Sequence, residues 1–485
     1  MVFSTILFLC VFLPITITGY YLMPYKAKNI WLLLASIFFY AWGEPRFVFV
    51  MLFSILSNYV FGLVLEKTSR GKPVVALAVV VNLGILFIFK YFTFVMETVR
   101  SVTKGDFDVI QIALPIGISF YTFQGLSYVI DVYRGVKSAR EQGEQAGVCQ
   151  HNPLNLALYI AMFPQLIAGP IVRYGDIATS LTKRSHSTDQ FLYGMWRFGI
   201  GLVKKAVLAN MTGAVAADIM QGDLSTLGAA SAWLGAIAYT LQIYFDFSGY
   251  SDMAIGLGSV FGFRFLENFN YPYISTSITE FWRRWHMSLS EWFRDYLYIP
   301  LGGSRRGNVY LHLFLVFLAT GIWHGAAWGF VFWGAYHGVL RLIEKWIEMR
   351  RRRREKKQIS KPLLILKKCL GWIYTMTAVI IGWVFFAQVD LMKGAQYVAV
   401  MFGIKRNAFV GFDVSYYLSK QTCFYFVLAF LACIPWRRVF PGVAQKVQNM
   451  PGKWAVCSLI SMLFLVIGFV FIINSSFNPF IYFRF

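Results

Sequence analysis

The amino-acid sequence predicts an all-α, polytopic integral membrane protein. Of its 485 residues, 58% are hydrophobic and only 14% are charged, whereas a soluble domain averages about 45–50% apolar and about 25% charged residues. Many apolar residues lie in runs of about 18 or more, long enough to cross the hydrocarbon core of a bilayer. We therefore expect roughly 11–13 membrane segments, some of them re-entrant or interfacial.

The charge balance is strongly basic. Lys and Arg number 45 against 23 Asp and Glu, which gives a net charge of +22. In a soluble protein this excess could indicate nucleic-acid binding. In a membrane protein, basic loops set the topology and meet anionic headgroups. We therefore expect membrane lipid, and no nucleic acid, as the partner of these charges.

The six cysteines form no recognisable framework. None stands in a CxxC pair, and most lie in apolar runs, where cysteine behaves as a small buried hydrophobe. The sequence therefore predicts neither a disulfide framework nor a metal site.

The first 110 residues predict the opening spans. The apolar run at 2–23 has no basic residue ahead of it, which favours an uncleaved span over a signal peptide. Because lysines follow this span, the charge bias places the N-terminus outside and the loops near 26–28 and 67–72 in the cytoplasm. Further spans are predicted at 30–42, from the break at Gly43–Arg46 to about Leu65, and at 73–97.

Two of the following stretches combine apolar residues with polar residues or prolines. Leu114–Arg134 contains Gln124 and charged side chains, so we expect it to face the protein interior or a water-filled cavity instead of lipid. In the stretch 163–176, prolines flank a glycine, which suggests a broken or re-entrant helix.

Spans near 190–209 and 228–247 lead to two carboxylates, Asp246 and Asp252. At about 100° per residue, their spacing corresponds to about 240° around a helix, so they do not share a face. This spacing argues against a paired acid/base device. We expect the polar residues here to line a cavity, and these are Asp246, Ser248, Tyr250 and Asp252.

The stretch 279–298 is strongly aromatic without being lipid-like, and it predicts one or two amphipathic helices. Trp285 and Trp292 would share a face, and Glu280 can pair with Arg284 at i, i+4. The simplest interpretation is a helix in the membrane interface, where Trp, Tyr and Arg are common.

The stretch Gly321–Gly338 is the strongest candidate for chemistry. It continues an apolar run yet contains His324 and His337, and an ionisable residue at membrane depth is a functional candidate by default. Three glycines recur every four residues from Gly321, which would stack them on one face of a continuous helix. The two histidines would lie about 220° apart on that helix and could not share an ion unless it breaks. A buried histidine can be a structural hydrogen-bonding group, a proton relay, a metal ligand or a catalytic base.

The last third of the chain predicts a basic loop and the closing spans. The most basic run begins at Arg350 and is typical of a cytoplasmic topology signal. Four further spans are predicted near 364–387, 391–404, 421–435 and 454–474.

Several blocks together resemble the membrane-bound O-acyltransferase family, and in particular its bacterial, alginate O-acetylation-like branch. The resemblance covers nearly the whole chain. The blocks are Asp246–Asp252, Phe281–Ser290 and Trp323–Gly325, with 115–123, 163–171 and the closing 480–485 as subgroup features. The resemblance implies a single transmembrane domain over 1–485, built around a central tunnel or funnel. Its parts would be N-terminal spans at 1–110, a catalytic core at 111–340, a basic cytoplasmic loop at 341–368 and C-terminal spans at 369–485.

The family's invariant histidine matches His324, which implies a role as general base or as an aid to acyl transfer. A second polar position of the family is filled by His286 or by another polar residue of its block. His337 would orient His324 or a substrate, unless it serves only helix packing. The residues expected to bind substrate or line the tunnel are Gln124, Asp246, Ser248, Tyr250, Asp252, Arg283, Arg284, Trp285 and Trp323.

The resemblance also implies a reaction. Members of this branch move an acyl group, usually acetyl, from a cytoplasmic donor to an extracytoplasmic acceptor, with acetyl-CoA as the implied donor and no bound cofactor. A partner of serine-hydrolase type would relay the group to a polysaccharide, which could be alginate, cellulose, peptidoglycan or another glycan. The expected location is the bacterial cytoplasmic (inner) membrane.

Two other functions compete with this interpretation. A secondary transporter would also be polytopic with broken helices, but inverted repeats and paired intramembrane carboxylates would favour it, and the sequence has neither. A non-catalytic scaffold of a polysaccharide export complex would still support acetylation after His324→Ala.

Overall fold

Helices are the only regular secondary structure in the part of the chain that the computed structural model describes, which is 1–142, 149–352, 360–450, 452–475 and 480–481. The predicted basic run that begins at Arg350 and the closing segment 480–485 therefore lie partly outside the described residues.

In the described first half of the chain, a group of long helices is followed by a group of short ones and then by two more long helices. They are α1 (Phe8–Leu22), α2 (Lys28–Gly43), α3 (Val48–Lys67), α4 (Gly71–Thr103), α5 (Ile118–Gln142), α6 (Pro153–Ala161), α7 (Phe163–Leu166), α8 (Tyr174–Thr182), α9 (Thr188–Met220) and α10 (Ala229–Val260).

The second half begins with two very short helices. Its helices are α11 (Ile278–Trp282), α12 (Met287–Phe293), α13 (Val309–His324), α14 (Trp328–Arg352), α15 (Lys361–Gln388), α16 (Leu391–Met401), α17 (Val414–Tyr417), α18 (Lys420–Ala432), α19 (Trp436–Val439), α20 (Pro441–Gln448) and α21 (Lys453–Asn474).

The predicted class is confirmed: the chain is an all-α, polytopic membrane protein. Five helices among the described residues are long and apolar enough to cross a membrane, namely α3, α4, α9, α15 and the Val456–Asn474 part of α21. Three shorter helices, α1, α13 and α18, are also apolar. The total of roughly 11–13 membrane segments stays a prediction.

The described chain divides into two compact units. The N-terminal unit comprises Met1–Gly201, Tyr250–Leu266 and Val456–Ile473. The C-terminal unit comprises Leu202–Gly249, Glu267–Ala455 and Asn474–Phe485.

In the N-terminal unit, α3, α4 and α5 pack through amide and small side chains. Asn58 and Asn82 exchange two buried amide hydrogen bonds of 3.1 and 3.0 Å, which join α3 to α4. Gly62 leaves room for Tyr128 of α5, because a Cβ at Gly62 would lie 2.5 Å from the phenol oxygen. Every residue of α5 from 118 to 129 is buried, which confirms the predicted inward orientation for this part of the stretch. The charged residues beyond it, Asp131 and Arg134, are partly exposed.

The predicted break in the stretch 163–176 is present. Met162, with ψ of 114°, separates α6 from α7, and a turn followed by an irregular stretch separates α7 from α8. All of α7 is buried.

Two short helices lie in the stretch 279–298, as predicted, but the predicted shared face of Trp285 and Trp292 is wrong. A location in the membrane interface stays a prediction. The helix α11 ends at Trp282, and α12 begins only at Met287 after His286 in the left-handed region, with φ of 44°. Trp285 and Trp292 therefore lie on different elements, and both are buried, at 2% and 5% exposure.

A carboxylate of α14 caps the start of this segment. Glu344 accepts hydrogen bonds from the backbone N–H groups of Ile278, at 2.6 Å, and Thr279, at 2.8 Å. These N–H groups have no partner within a helix because they open α11. The predicted Glu280–Arg284 ion pair is present, at 2.8 Å.

The continuous helix predicted for Gly321–Gly338 is also wrong. The helix α13 ends at His324, Gly325 is extended with φ of −172° and ψ of 158°, and α14 begins at Trp328. The glycines still allow a close approach of backbones. A Cβ at Gly321 would lie 2.8 Å from the Cα of Gly334, so the neighbour at this contact is the following helix.

Candidate active site

His324 is the last residue of α13 and is buried, with 5% exposure. Three aromatic rings surround its imidazole: Trp323 at 5.0 Å, Trp333 at 5.1 Å and Phe386 at 5.1 Å between ring centroids. The rings of Trp333 and Phe386 meet it edge-on, at 89° and 78°. These walls keep bulk water away from a titratable group.

The break after His324 brings the two histidines into contact with the same indole ring. Trp333 is fully buried, and its centroid lies 5.1 Å from His324 and 5.0 Å from His337. Gly382 of α15 makes room for His337, because a Cβ there would lie 2.6 Å from its Nε2. The separation of about 220° between His324 and His337, which assumes one continuous helix, therefore does not apply.

Several polar atoms of this cluster are buried and have no hydrogen-bond partner among the described residues. They are Nδ1 of His337 and the indole nitrogens of Trp282 and Trp333. The rings of Trp282 and Trp383 lie 5.4 and 5.9 Å from that of Trp333. Because buried donors normally have partners, this concentration of N–H groups suits a polar ligand atom such as a carbonyl oxygen.

His286 is held by Asn268. Asn268 Oδ1 accepts hydrogen bonds from the backbone N–H of Ser288, at 3.2 Å, and from its hydroxyl, at 2.9 Å. The backbone N–H can only donate, so this atom is the amide oxygen. His286 Nδ1, at 3.1 Å from the same oxygen, is therefore the protonated nitrogen. This tautomer leaves Nε2 with the lone pair that a base needs.

His286 belongs to the same aromatic cluster as His324. Its ring lies 4.5 Å from Phe247 and 6.1 Å from Trp323. Burial lowers the pKa of His286 to about 3, so the imidazole is neutral at ordinary pH. The sequence-predicted residues His286, Trp323, His324 and His337 are thus brought together.

Asp246 forms a buried ion pair. Lys205 Nζ lies 2.7 Å from Asp246 Oδ1, and both side chains are 3% exposed or less. Lys205 also donates to Asn210 Oδ1 at 3.1 Å, and the backbone N–H of Ile481 donates to Asp246 Oδ2 at 2.8 Å. Both carboxylate oxygens of Asp246 are therefore engaged in contacts with the protein itself. Nearby, the Ser248 hydroxyl is buried without a hydrogen-bond partner in the described part of the chain.

The remaining predicted residues of the C-terminal unit are structural or exposed. Arg283 is exposed. Arg284 pairs with Glu280 and donates to the backbone oxygen of Asn270 at 3.1 Å. The ring of Trp285 packs 4.8 Å from that of Trp383, so Trp285 contacts the aromatic cluster through Trp383.

Three predicted residues belong to the N-terminal unit. Asp252 accepts a hydrogen bond of 2.6 Å from Arg197, and Tyr250 stacks on Phe3 at 4.5 Å. Gln124 is 1% exposed. Asp246 and Asp252 therefore pair with different cations, Lys205 and Arg197.

A cavity of about 690 Å³ in the C-terminal unit reaches Phe386, the ring that also walls His324. Polar side chains line much of it, including Gln242, Gln388, Asp390 and Lys393. Phe386 therefore borders both this cavity and the candidate base.

Sequence reasoning missed Asn268, Trp333 and Phe386. Asn268 follows an aromatic loop with no periodic pattern, and the two aromatic residues match ordinary core positions. The signal that was available is the density of Trp and His in the stretch from Gly321.

Comparisons with known proteins add independent findings. The sequence profile of the membrane-bound O-acyltransferase family matches residues 34–386. A probable alginate O-acetylase, AlgI, of Pseudomonas putida is 38% identical over 512 residues, which cover 100% of both chains. A peptidoglycan O-acetyltransferase of Helicobacter pylori is 32% identical over 524 residues, covering 100% of this chain and 98% of the relative. A teichoic acid D-alanyltransferase of Bacillus subtilis is 32% identical over 257 residues, covering 48% of this chain and 60% of the relative.

Proposed function

Because the chain belongs to the membrane-bound O-acyltransferase family, we propose that this acyltransferase carries acetyl groups across the membrane to O-acetylate an extracytoplasmic polysaccharide. The donor is acetyl-CoA on the cytoplasmic side, and the location is the bacterial cytoplasmic membrane. The names of the two full-length relatives, an alginate O-acetylase and a peptidoglycan O-acetyltransferase, support an acetyl group and a glycan acceptor.

The observation that supports this function best is the buried imidazole of His324 inside the aromatic cluster. As the acceptor hydroxyl attacks the acetyl carbonyl, a neutral imidazole takes the hydroxyl proton. An ester C–O bond forms, the thioester C–S bond breaks, and the proton passes to the departing thiolate. The neighbouring indole N–H groups can donate to the oxygen on which negative charge develops.

The other two histidines have supporting roles in this proposal. His286 presents its unprotonated Nε2 beside Trp323 and offers a second acceptor for a proton or a substrate hydroxyl. His337 shares the Trp333 ring with His324 and helps to position it. The 690 Å³ cavity that ends at Phe386 is the approach for one of the two substrates.

An extracytoplasmic partner of serine-hydrolase type completes the pathway. Its serine hydroxyl would be the first acceptor, and it would relay the acetyl group to the glycan. The variety of acceptors in the names of the relatives, alginate, peptidoglycan and teichoic acid, supports placing glycan specificity outside the shared membrane fold.

The test follows radiolabelled acetyl from acetyl-CoA in membranes that contain the wild type, His324→Ala or His312→Ala. His312 is a matched control because it lies on the same helix, is also buried and bonds the backbone oxygen of Gly303 at 2.9 Å. Label should reach the partner or the glycan with the wild type and His312→Ala, and should fall to background with a correctly inserted His324→Ala protein.

Two results would contradict the proposal. Equal transfer by His324→Ala would remove the catalytic role of His324. Absence of transfer from acetyl-CoA in the wild type, with the partner present, would exclude acetyl-CoA as donor and favour the transporter or scaffold functions.

A further inference from the structure

Three side chains with different metal-binding chemistry converge in the N-terminal unit, and none belongs to the candidate active site. Glu66 lies in the last turn of α3, and Cys149 and His151 precede α6. Their carboxylate, thiol and imidazole atoms all lie within 4.8 Å of one another. His151 Nε2 and Glu66 Oε2 are 2.8 Å apart.

The segment that carries Cys149 and His151 is fixed from three sides. Tyr59 of α3 donates to the backbone oxygen of His151 at 2.7 Å. The backbone N–H of Gln150 donates to Tyr128 of α5 at 3.1 Å, and its side chain donates to Tyr174 of α8 at 3.1 Å. The potential ligands are therefore held in place before any ion binds, which lowers the entropy lost on binding.

The burial of these groups also suits an ion. Cys149 is only 8% exposed, with its sulfur 3.8 Å from the Tyr128 hydroxyl, whereas the His151 side chain is 67% exposed. One side of the site is thus protein, and the other is open to an entering ion and to water. Burial raises the pKa of the Cys149 thiol, so the sulfur is protonated unless a nearby cation stabilises the thiolate.

We propose that Glu66, Cys149 and His151 bind one Zn²⁺, with water as the fourth ligand. Thiolate, imidazole and carboxylate are the ligands that tetrahedral zinc takes in proteins. On binding, the thiol proton goes to solvent. The neutral imidazole of His151 loses its Nε2 proton to solvent and takes one up on Nδ1, so that the Nε2 lone pair can bind the ion. The thiolate and the carboxylate then balance the charge of the ion, which suits a site beside apolar spans.

Bound zinc would tie the chain segment before α6 to the end of α3. The ordinary alternative is a His151–Glu66 ion pair next to a free thiol, worth little because His151 is exposed. No sequence signature could have shown the site, because Glu66 and His151 are separated by 85 positions in the chain and the fold brings them together.

The experiment measures zinc in the untagged full-length protein after gel filtration in detergent with a weak chelator. The wild type should retain ~1 zinc per chain, and Glu66→Gln, Cys149→Ser and His151→Ala should each bind at least ~10-fold more weakly in a chelator competition. His151→Ala is the decisive variant, because its exposed side chain can be removed without opening the core. Cys423→Ser is the matched control, since Cys423 is exposed and distant in sequence.

Cobalt substitution identifies the ligands directly. Co²⁺ in the wild type should show a thiolate-to-cobalt charge-transfer band that disappears in Cys149→Ser and persists in Cys423→Ser. A wild type that takes up neither metal in the competition would overturn the proposal. So would a well-folded His151→Ala protein with wild-type zinc affinity.

Discussion

One oxygen atom, Oδ1 of Asn268, determines which ring nitrogen of His286 carries the proton. Asn268 Oδ1 takes two hydrogen bonds from Ser288 and a third from His286 Nδ1. These contacts also hold His286 in the left-handed region, at φ of 44°, a conformation that costs about 1–3 kcal/mol for a non-glycine residue and is common at functional sites. Asn268 is therefore a positioning residue for the proposed reaction.

Asn268→Ala should lower kcat about 10–100-fold with little change in KM, because the imidazole loses the acceptor that fixes its tautomer. Initial rates of labelled acetyl transfer measure both constants. Ser288→Ala is the control and should stay within a few-fold of the wild type, since its backbone N–H still bonds Asn268. An unchanged kcat in Asn268→Ala would show that the orientation of His286 does not matter.

Stability should fall with decreasing pH partly through His286, which lies outside the spanning helices. Its pKa is about 3 in the folded protein and about 6.5 in an unfolded chain. Below about pH 6.5 the unfolded state binds the extra proton, so the contribution of this residue to stability is present above that pH and is lost as the pH falls. Unfolding temperatures in detergent should decline less steeply in His286→Gln than in the wild type as the pH falls from about 7.5 to about 5, a range that includes the unfolded pKa of about 6.5. Parallel curves for the two proteins would contradict this prediction.

At the scale of elements, the α13–α14 hairpin positions the candidate base. Its two helices meet at Gly321 and Gly334, where a Cβ on Gly334 would lie 2.6 Å from the backbone oxygen of Phe317. His324 follows at the end of α13, so the distance between these helices sets where its imidazole lies relative to Trp333. The glycines are therefore needed for packing and, through it, for the site.

Gly334→Ala should destabilise the protein by about 1–3 kcal/mol, because the added methyl group forces the two backbones apart. Thermal unfolding in detergent measures the change, and acetyl transfer should fall with it. Gly84→Ala in α4 is the control: no heavy atom lies within 4 Å of the added Cβ, and alanine favours a helix by up to about 1 kcal/mol. Equal effects of the two substitutions would mean that helix propensity, not close packing, governs the result.

At the scale of the whole molecule, a buried ion pair connects distant parts of the chain. Lys205 stands in a π-helical turn of α9, Asp246 lies on α10, and the same carboxylate holds the backbone of Ile481 near the end of the sequence. Two charges in an apolar setting are tolerated only because each neutralises the other.

Lys205→Met should destabilise the protein by about 3–5 kcal/mol, since it leaves the Asp246 carboxylate buried without its cation. The double variant Lys205→Met with Asp246→Leu should recover most of that loss, because it removes both charges. Denaturant unfolding of the single and double variants measures the coupling. A double variant that is as unstable as the sum of the single changes would contradict the pairing.

The sequence by itself determined the class of the protein and the outline of its spans. The stretch 364–387, for example, is observed as Lys361–Gln388, and the break in 163–176 is present. It also pointed to His324. These features are local. A run of apolar residues, a proline or a histidine among glycines can be interpreted from the residues within a few helical turns of it.

Tertiary structure decided which side chains meet. The break at Gly325 brings His324 and His337 to the same indole ring, Asn268 orients His286, and the end of α3 meets Cys149 and His151. The segment 279–298 is aromatic enough for a membrane interface, yet Trp285 and Trp292 are buried in the protein and Glu344 binds the start of the segment. Such contacts join residues far apart in the chain, and their energies depend on what each side chain packs against, which local periodicity does not encode.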